Sequence, residues 1–317
     1  MARRADRIKF EVRVTRGFPV ASPARAPHSA KLYRASVFEA GEWLARRLPL
    51  GVTRTLAAWA GWLYAWTHPQ RVAVILQNLR LLNPALDKKS ARRVYSEFGK
   101  TLADYFYLGT RPAAQAAEII AQKDDHHYFR QARDLGKGAL VVTAHFGLFE
   151  LGGLALAQEA IPAVVLTYPE PSRALTDWRA QFRRRWNVDT LEVGQDSFAF
   201  LHIAERLRRG DFVACLIDRP HPTDDTPVFW PNGAARFSAG ILLLAAHGDV
   251  PVIPALIVRQ ADGSYRSHVF PPIFVRPRQS RAETLRFYSQ QIADTFLPVL
   301  CAYPEQWYQF VPLSASS

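Results

Sequence analysis

Long apolar runs are missing from this chain of 317 residues. The nearest approach is the thirteen residues from Thr55 to Thr67, bracketed by Arg54 and His68, whereas a membrane-spanning helix needs about 20. The N-terminus also lacks the continuous apolar core of a secretory signal, and Asp6 and Glu11 count against an organellar transit peptide. Cysteine is scarce. Cys215 and Cys301 form no CxxC and no Cys/His cluster, which argues against a disulfide framework and against a metal site, and fits a reducing compartment with buried thiols. The GxSxG nucleophile elbow, the Walker loop, GxGxxG and HExxH are all absent. Acid is in deficit too: 28 Asp and Glu face 40 Lys and Arg, for a net charge of +12. That balance favours an anionic partner, whether a nucleic acid, a membrane surface or an acidic protein or ligand, and does not choose among them.

What is present divides unevenly along the chain. Residues 1–34 hold nine basic residues against two acids, with Pro19, Pro23 and Pro27, and read as a mobile basic arm suited to a solvated tail or to anionic lipid. Residues 35–110 read as a helical, membrane-associating region. Ala35 to Trp66 forms two helices broken at Pro49 and Gly51, with Trp59, Trp62 and Trp66 on one face of the second and Arg46, Arg47 and Arg54 nearby. Tryptophan beside arginine on a helix too short to span suggests a segment lying in the bilayer interface. The competing reading packs those rings inward as core. A helix from Pro69 ends at Asn83-Pro84, and the stripe Phe98, Leu102, Tyr105 and Phe106 gives the helix from Lys88 to Leu108 a core face.

Residues 111–317 read as an α/β domain. Apolar runs at Ala139–Ala144, Pro162–Thr167, Thr190–Val193, Phe212–Ile217 and Val250–Val258 alternate with helical patterns at Leu148–Glu159, Ala174–Trp186, Phe198–Arg209 and Ala239–His247. This order predicts a largely parallel central sheet flanked by helices. An edge strand over Arg266–Phe270 and a closing helix over Arg281–Leu300 complete it. Ligands on such sheets gather at the carboxyl ends of strands, where both His145 and Asp218 fall.

The best candidate chemistry lies in Thr143-Ala-His145-Phe-Gly147-Leu-Phe-Glu150. On one regular helix, residues five apart point about 140° away from each other. His145 and Glu150 therefore meet only with His145 in the turn, Gly147 allowing its tightness and Glu150 opening the helix. The carboxylate would then fix the imidazole tautomer and leave the other nitrogen to take a proton from a substrate hydroxyl. A His satisfied by a helix-capping carboxylate is the plainer alternative. Asp218-Arg219 ends a later strand and enters a polar loop, and Arg219 is either a fork of donors for an anionic group or half of an ion pair bracing that loop.

These blocks together resemble the bacterial lipid A biosynthesis (lauroyl/myristoyl) acyltransferases, relatives of the His-x4-Asp glycerolipid acyltransferases, over about Tyr33 to Pro312. Thr143 to Glu150 is similar to their His-Phe-Gly-Asn-Trp-Glu block. Asn78-Leu-Arg80 with Pro84, Tyr168 to Arg185, Asp218, Phe229 with Gly233 and Gly240, and Pro304-Glu-Gln-Trp307 match further blocks in order. The resemblance implies O-acyl transfer from an acyl carrier protein or CoA thioester, as co-substrate, to a hydroxyl of a membrane lipid or glycolipid. It implies no other cofactor and no metal. His145 would be the general base and Glu150 its orienting partner, with Arg183, or else Arg184, at the thioester oxyanion. Gly147, Asp218, Arg219 and Gly233 would belong to the substrate site. The expected location is the cytoplasmic face of the bacterial inner membrane, peripheral or monotopic.

The departures bear on the acceptor. Leu148-Phe149 replaces Asn-Trp, and Tyr308-Gln-Phe-Val-Pro312 replaces a basic Trp-x-His-Arg-Arg-Phe-Lys end, so a lipid other than lipid A is a live acceptor. Two rival classes remain: a non-catalytic basic protein that binds membrane or nucleic acid, and a hydrolase that passes the acyl group to water.

Overall fold

The computed structural model describes residues 35–170, 172–193, 199–221 and 224–313. The basic arm expected over residues 1–34 lies outside them, as does Phe198 at the start of an expected helix.

Four helices come first, α1 (Ala35–Arg47), α2 (Leu50–Thr67), α3 (Pro69–Leu82) and α4 (Lys88–Gly109). Their boundaries follow local chemistry. Pro49 sits at the N-cap of α2 and Pro69 opens α3, where the missing amide costs nothing. The Asp87 carboxylate caps α4 by accepting from the Ser90 amide at 2.8 Å. The helix α4 is the spine of this group. A Cβ on Gly61 of α2 would lie 2.1 Å from the Tyr95 carbonyl oxygen, and one on Gly99 of α4 would lie 2.2 Å from the Ala57 carbonyl oxygen. Backbone thus meets backbone, through small residues on both helices.

The remainder alternates strand and helix: α5 (Ala113–Ala117), β1 (Ile120–Asp124), α6 (His127–Asp134), β2 (Ala139–Thr143), α7 (Leu151–Gln158), β3 (Ala163–Thr167), α8 (Arg173–Arg184), β4 (Val188–Glu192), α9 (Ala199–Arg208) and β5 (Phe212–Leu216). Then come β6 (Thr226–Trp230), β7 (Gly233–Phe237), α10 (Leu242–Gly248), β8 (Val252–Arg259), β9 (Tyr265–Val269) and α11 (Arg281–Ala302). The central sheet has seven strands in the order β1-β9-β8-β2-β5-β3-β4. All neighbours from β8 to β4 pair in parallel, β9 runs antiparallel to β8, and β1 is parallel to β9.

The mixed α/β class with a mostly parallel sheet agrees with the sequence expectation. Unforeseen were the short helices α5 and α6, the strand β1, whose Ala-Gln-Lys-Asp gives no apolar run, and the β6–β7 hairpin, which turns at Asn232-Gly233 outside the main sheet. Side-chain alternation divides the core in two. Leu140, Val142, Val252 and Leu256 face one layer, while Val141, Ile253 and Ile257 face the other. Each strand is therefore covered on both sides, as a parallel sheet requires.

A buried carboxylate ties the opening helices to the sheet. Asp104 of α4, fully shielded from solvent, accepts from Arg54 Nε (2.5 Å), Tyr265 Oη (2.7 Å) and Arg259 Nε (3.3 Å). No described helix is long and apolar enough to cross a membrane. Replacing Gly61 with Leu should push α2 off α4 and lower stability by about 1–3 kcal/mol, as overpacking does. An unchanged thermal midpoint would show that the close helix approach contributes nothing.

Candidate functional site

Strand register explains which groups meet. In the parallel pair of β2 and β5, Thr143 lies opposite Leu216. Two residues further along each strand come His145 and Asp218, side by side at the carboxyl edge of the sheet. The His145 Nδ1 is 2.7 Å from Asp218 Oδ1, and the His145 backbone amide donates to Asp218 Oδ2 at 2.9 Å.

Residues just after α11 complete the site. Trp307 Nε1 donates to Asp218 Oδ2 at 3.0 Å, and Gln309 Nε2 donates to that same oxygen and, at 2.9 Å, to the Asp218 carbonyl oxygen. The Tyr308 amide donates to the His145 carbonyl oxygen at 2.7 Å. Arg219 holds this strap from its other side, donating from Nε to Gln309 Oε1 (3.0 Å) and from Nη2 to the Tyr308 carbonyl oxygen (2.7 Å). The turn after His145 requires glycine. Gly147 has φ of 52°, and a Cβ there would sit 1.9 Å from the Ile257 carbonyl oxygen.

The electrostatics follow from burial and these partners. Burial pushes the Asp218 carboxyl up, but His145, Arg219 and the Trp307 hydrogen bond outweigh it and hold the group below its ordinary 3.8. Burial, then the Arg219 charge, push the His145 imidazole below its ordinary 6.5, and Asp218 only partly opposes them. The imidazole is therefore neutral at pH 7. With an ionised carboxylate facing Nδ1, the proton resides there and Nε2 carries the lone pair. Nε2 makes no hydrogen bond among the described residues, and the His145 side chain keeps 21% exposure. The arrangement fixes the tautomer and leaves Nε2 able to accept a proton.

The hydrogen bond expected between His145 and Glu150 is not formed. Glu150 sits at the N-cap of α7 and points to α8, where Arg183 grips it with Nε on Oε2 (2.9 Å) and Nη2 on Oε1 (2.7 Å). Both side chains are almost wholly buried. Burial alone would raise the Glu150 carboxyl and lower the Arg183 guanidinium, but the mutual attraction reverses both shifts. The physical reason is occupancy: Asp218 takes the imidazole nitrogen, and the fork of Arg183 takes both oxygens of Glu150.

A family model described as bacterial lipid A biosynthesis acyltransferase matches residues 23–313. The chain belongs to that family. It is also similar to the phosphatidylinositol mannoside acyltransferase of Mycolicibacterium smegmatis, 24% identical over 204 residues, which make up 63% of this chain and 65% of that protein. The matched stretch thus covers just under two thirds of that relative's length.

In this lipid A acyltransferase family member the other expected site residues are dispersed. Arg184 ends α8 exposed to solvent. Gly233 lies in the β6–β7 turn against Leu81 of α3, with φ of 140°, and packs there instead of beside His145. Among the described residues no cluster of three or more His, Cys, Asp or Glu could hold a metal ion. Three site roles escaped sequence reasoning: that of Trp307, which closes the matched Pro304–Trp307 block, that of Gln309, within the segment that departs from the family's basic end, and that of Arg179, one helical turn before Arg183. Register between β2 and β5 was the available signal for the Asp218 pairing.

Removing one partner of a buried ion pair leaves the other charge uncompensated, at a cost of about 3–5 kcal/mol. Glu150→Ala should therefore lose stability on that scale in denaturant unfolding and leave the pH dependence of turnover unmoved. A shifted pH profile in a fully stable variant would assign Glu150 to the imidazole after all.

Proposed function

We propose that this protein transfers a fatty acyl group from a thioester to a hydroxyl of a glycolipid or other lipid acceptor, with His145 as the general base. The observation that carries this reading is the neutral His145, held by Asp218 through Nδ1 and presenting a free Nε2, in a member of the lipid A acyltransferase family. The named relative acts on a phosphatidylinositol mannoside, and a glycolipid acceptor is the reading we extend to this chain.

In the proposed step, Nε2 takes the proton of the acceptor hydroxyl as that oxygen attacks the thioester carbonyl. The tetrahedral oxyanion then collapses, the carbon–sulfur bond breaks, and the imidazolium returns its proton to the departing thiolate. Asp218 keeps the ring oriented and stabilises its transient charge. Acyl carrier protein and CoA both present the chain on a thiol, so the same step serves either donor. A lipid acceptor calls for a membrane surface, and we place the protein peripherally at the cytoplasmic face of the inner membrane, where soluble thioesters are at hand.

The oxyanion role expected of Arg183 passes to Arg179 in this reading. Arg183 is committed to Glu150, whereas Arg179 lies one turn nearer the start of α8, towards the carboxyl edge of the sheet. Its side chain is 22% exposed, its Nε has no hydrogen-bond partner among the described residues, and its charge adds to the lowering of the His145 pKa. Its one described ion pair, with Glu170 at 3.1 Å, leaves part of the guanidinium for a second anion.

Three tests follow from the mechanism. With a long-chain thioester and a dispersed lipid acceptor, His145→Ala should lower turnover by about 10²- to 10⁴-fold. In the wild type, kcat/KM should fall as pH drops through a single ionisation below 6.5, because protonated His145 is no longer a base. Retained turnover in folded His145→Ala would sink the mechanism, and acyl release to water without acceptor would make the protein a hydrolase. Arg179→Ala should reduce kcat by about 10²-fold with little change in KM, the pattern of a lost oxyanion donor. An equal loss in Arg179→Ala carried by KM alone would move this residue from the oxyanion to substrate binding.

A further inference from the structure

The helix α2 is built inside out. Small residues, Ala57, Gly61 and Ala65, lie where α4 is met, so the large side chains are left outside. Val52, Leu56, Trp59, Trp62, Leu63 and Trp66 are each 44–66% exposed. The 18-residue helix contains no acid, and its single charge, Arg54, turns inward to Asp104. Exposed apolar side chains are concentrated here: nine of the 17 large ones identified among the described residues fall between Val37 and Trp66. Such concentration exceeds the scattered exposure that surfaces tolerate without consequence.

The ridge also has ordered edges. The rings of Trp59, Trp62 and Trp66 follow one another edge to face at 5.8 Å spacings. The Arg92 guanidinium lies 3.9 Å from the centre of the Trp66 ring, and that of Arg47 lies 4.1 Å from the centre of Trp43 on the neighbouring helix. Indole flanked by guanidinium is the chemistry of the bilayer interface, where the ring sits among headgroups and the cation meets phosphate.

We propose that this outer face of α1 and α2 docks the protein on an anionic bilayer, with α2 lying in the plane of the interface and Arg47 and Arg92 against lipid phosphates. The inference rests on the lipid-acceptor reading and adds the surface by which the enzyme reaches its acceptor. Charge favours a bilayer over a second copy of this chain. A two-fold pairing of the ridge would set Arg92 against its own copy with no carboxylate on α2 to meet it, and on α1 Glu42 is held by Arg185, which leaves Glu39 alone to face the arginines.

The test uses the full chain and vesicles of phosphatidylethanolamine with phosphatidylglycerol, compared with vesicles of phosphatidylcholine alone. Wild type should co-sediment more strongly with the anionic vesicles, and brominated lipid should quench its tryptophan fluorescence. Trp59→Ser/Trp62→Ser/Trp66→Ser should bind the anionic vesicles at least about tenfold more weakly. It should keep its circular dichroism, its thermal midpoint and its acyl transfer to detergent-dispersed acceptor. Unchanged vesicle binding by this variant overturns the proposal. So does a wild-type dimer in light scattering that the variant abolishes, because the face would then belong to a second copy. If neither protein transfers acyl groups in detergent, the activity reading fails, while the vesicle comparison still decides the docking surface.

Discussion

A single buried carboxylate governs the organisation of the site. Asp218 is 1% exposed, and an ionised group so placed is tolerated only when its hydrogen-bonding capacity is met. Oδ1 faces the imidazole, while Oδ2 accepts from the His145 amide, the Trp307 indole and the Gln309 amide. Those donors come from the end of β2 and from the strap beyond α11, and the carboxylate itself comes from the end of β5. One charge thus holds three distant pieces of chain in a common geometry. Loosening any donor would change the acceptor strength felt by the ring, which couples the strap to the basicity of His145.

Much of the fold could be read from periodicity. The breaks at Pro49, Pro69 and Asn83-Pro84 and the apolar runs of β2, β3, β5 and β8 are local signals, and they located their elements to within a few residues. Nothing local marked β1, because its polar edge-strand composition resembles a loop, while Pro231-Asn232-Gly233 beside the short run Val228-Phe229-Trp230 is a local hairpin signal. For the site, His145 was legible as a motif and its partner was not. A spacing motif records neighbours along the chain, whereas Asp218 is a neighbour only through parallel pairing of β2 with β5. Trp307 and Gln309 are further still, and only packing brings them in. The tryptophan face was legible, with the outward reading preferred over an inward one, and the fact that decides it is how closely Gly61 and Gly99 bring the two backbones together.

Between the outer tryptophans and the site stands α4. On one side Gly99 receives the backbone of α2. On the other, Phe98 packs its ring 5.1 Å from that of Tyr308, and Thr101 Oγ1 lies 2.8 Å from Tyr308 Oη. Tyr308 in turn donates its amide to His145. About one helix diameter, roughly 10 Å, therefore separates the apolar ridge from the strap that holds His145. The same four-helix group thus both carries that ridge and supports the strap behind His145, and Asp104 with Arg54, Arg259 and Tyr265 fixes its position relative to the sheet.

The strap has a further consequence, in the order of synthesis. Trp307 and Gln309 follow every strand of the sheet, so a chain emerging from the ribosome can form β2 and β5 before the last donors to Asp218 exist. During that interval the carboxylate lacks the indole and amide donors of its finished state. The hydrogen-bond set that holds Asp218 against His145 is therefore completed last, after every strand of the sheet has been made.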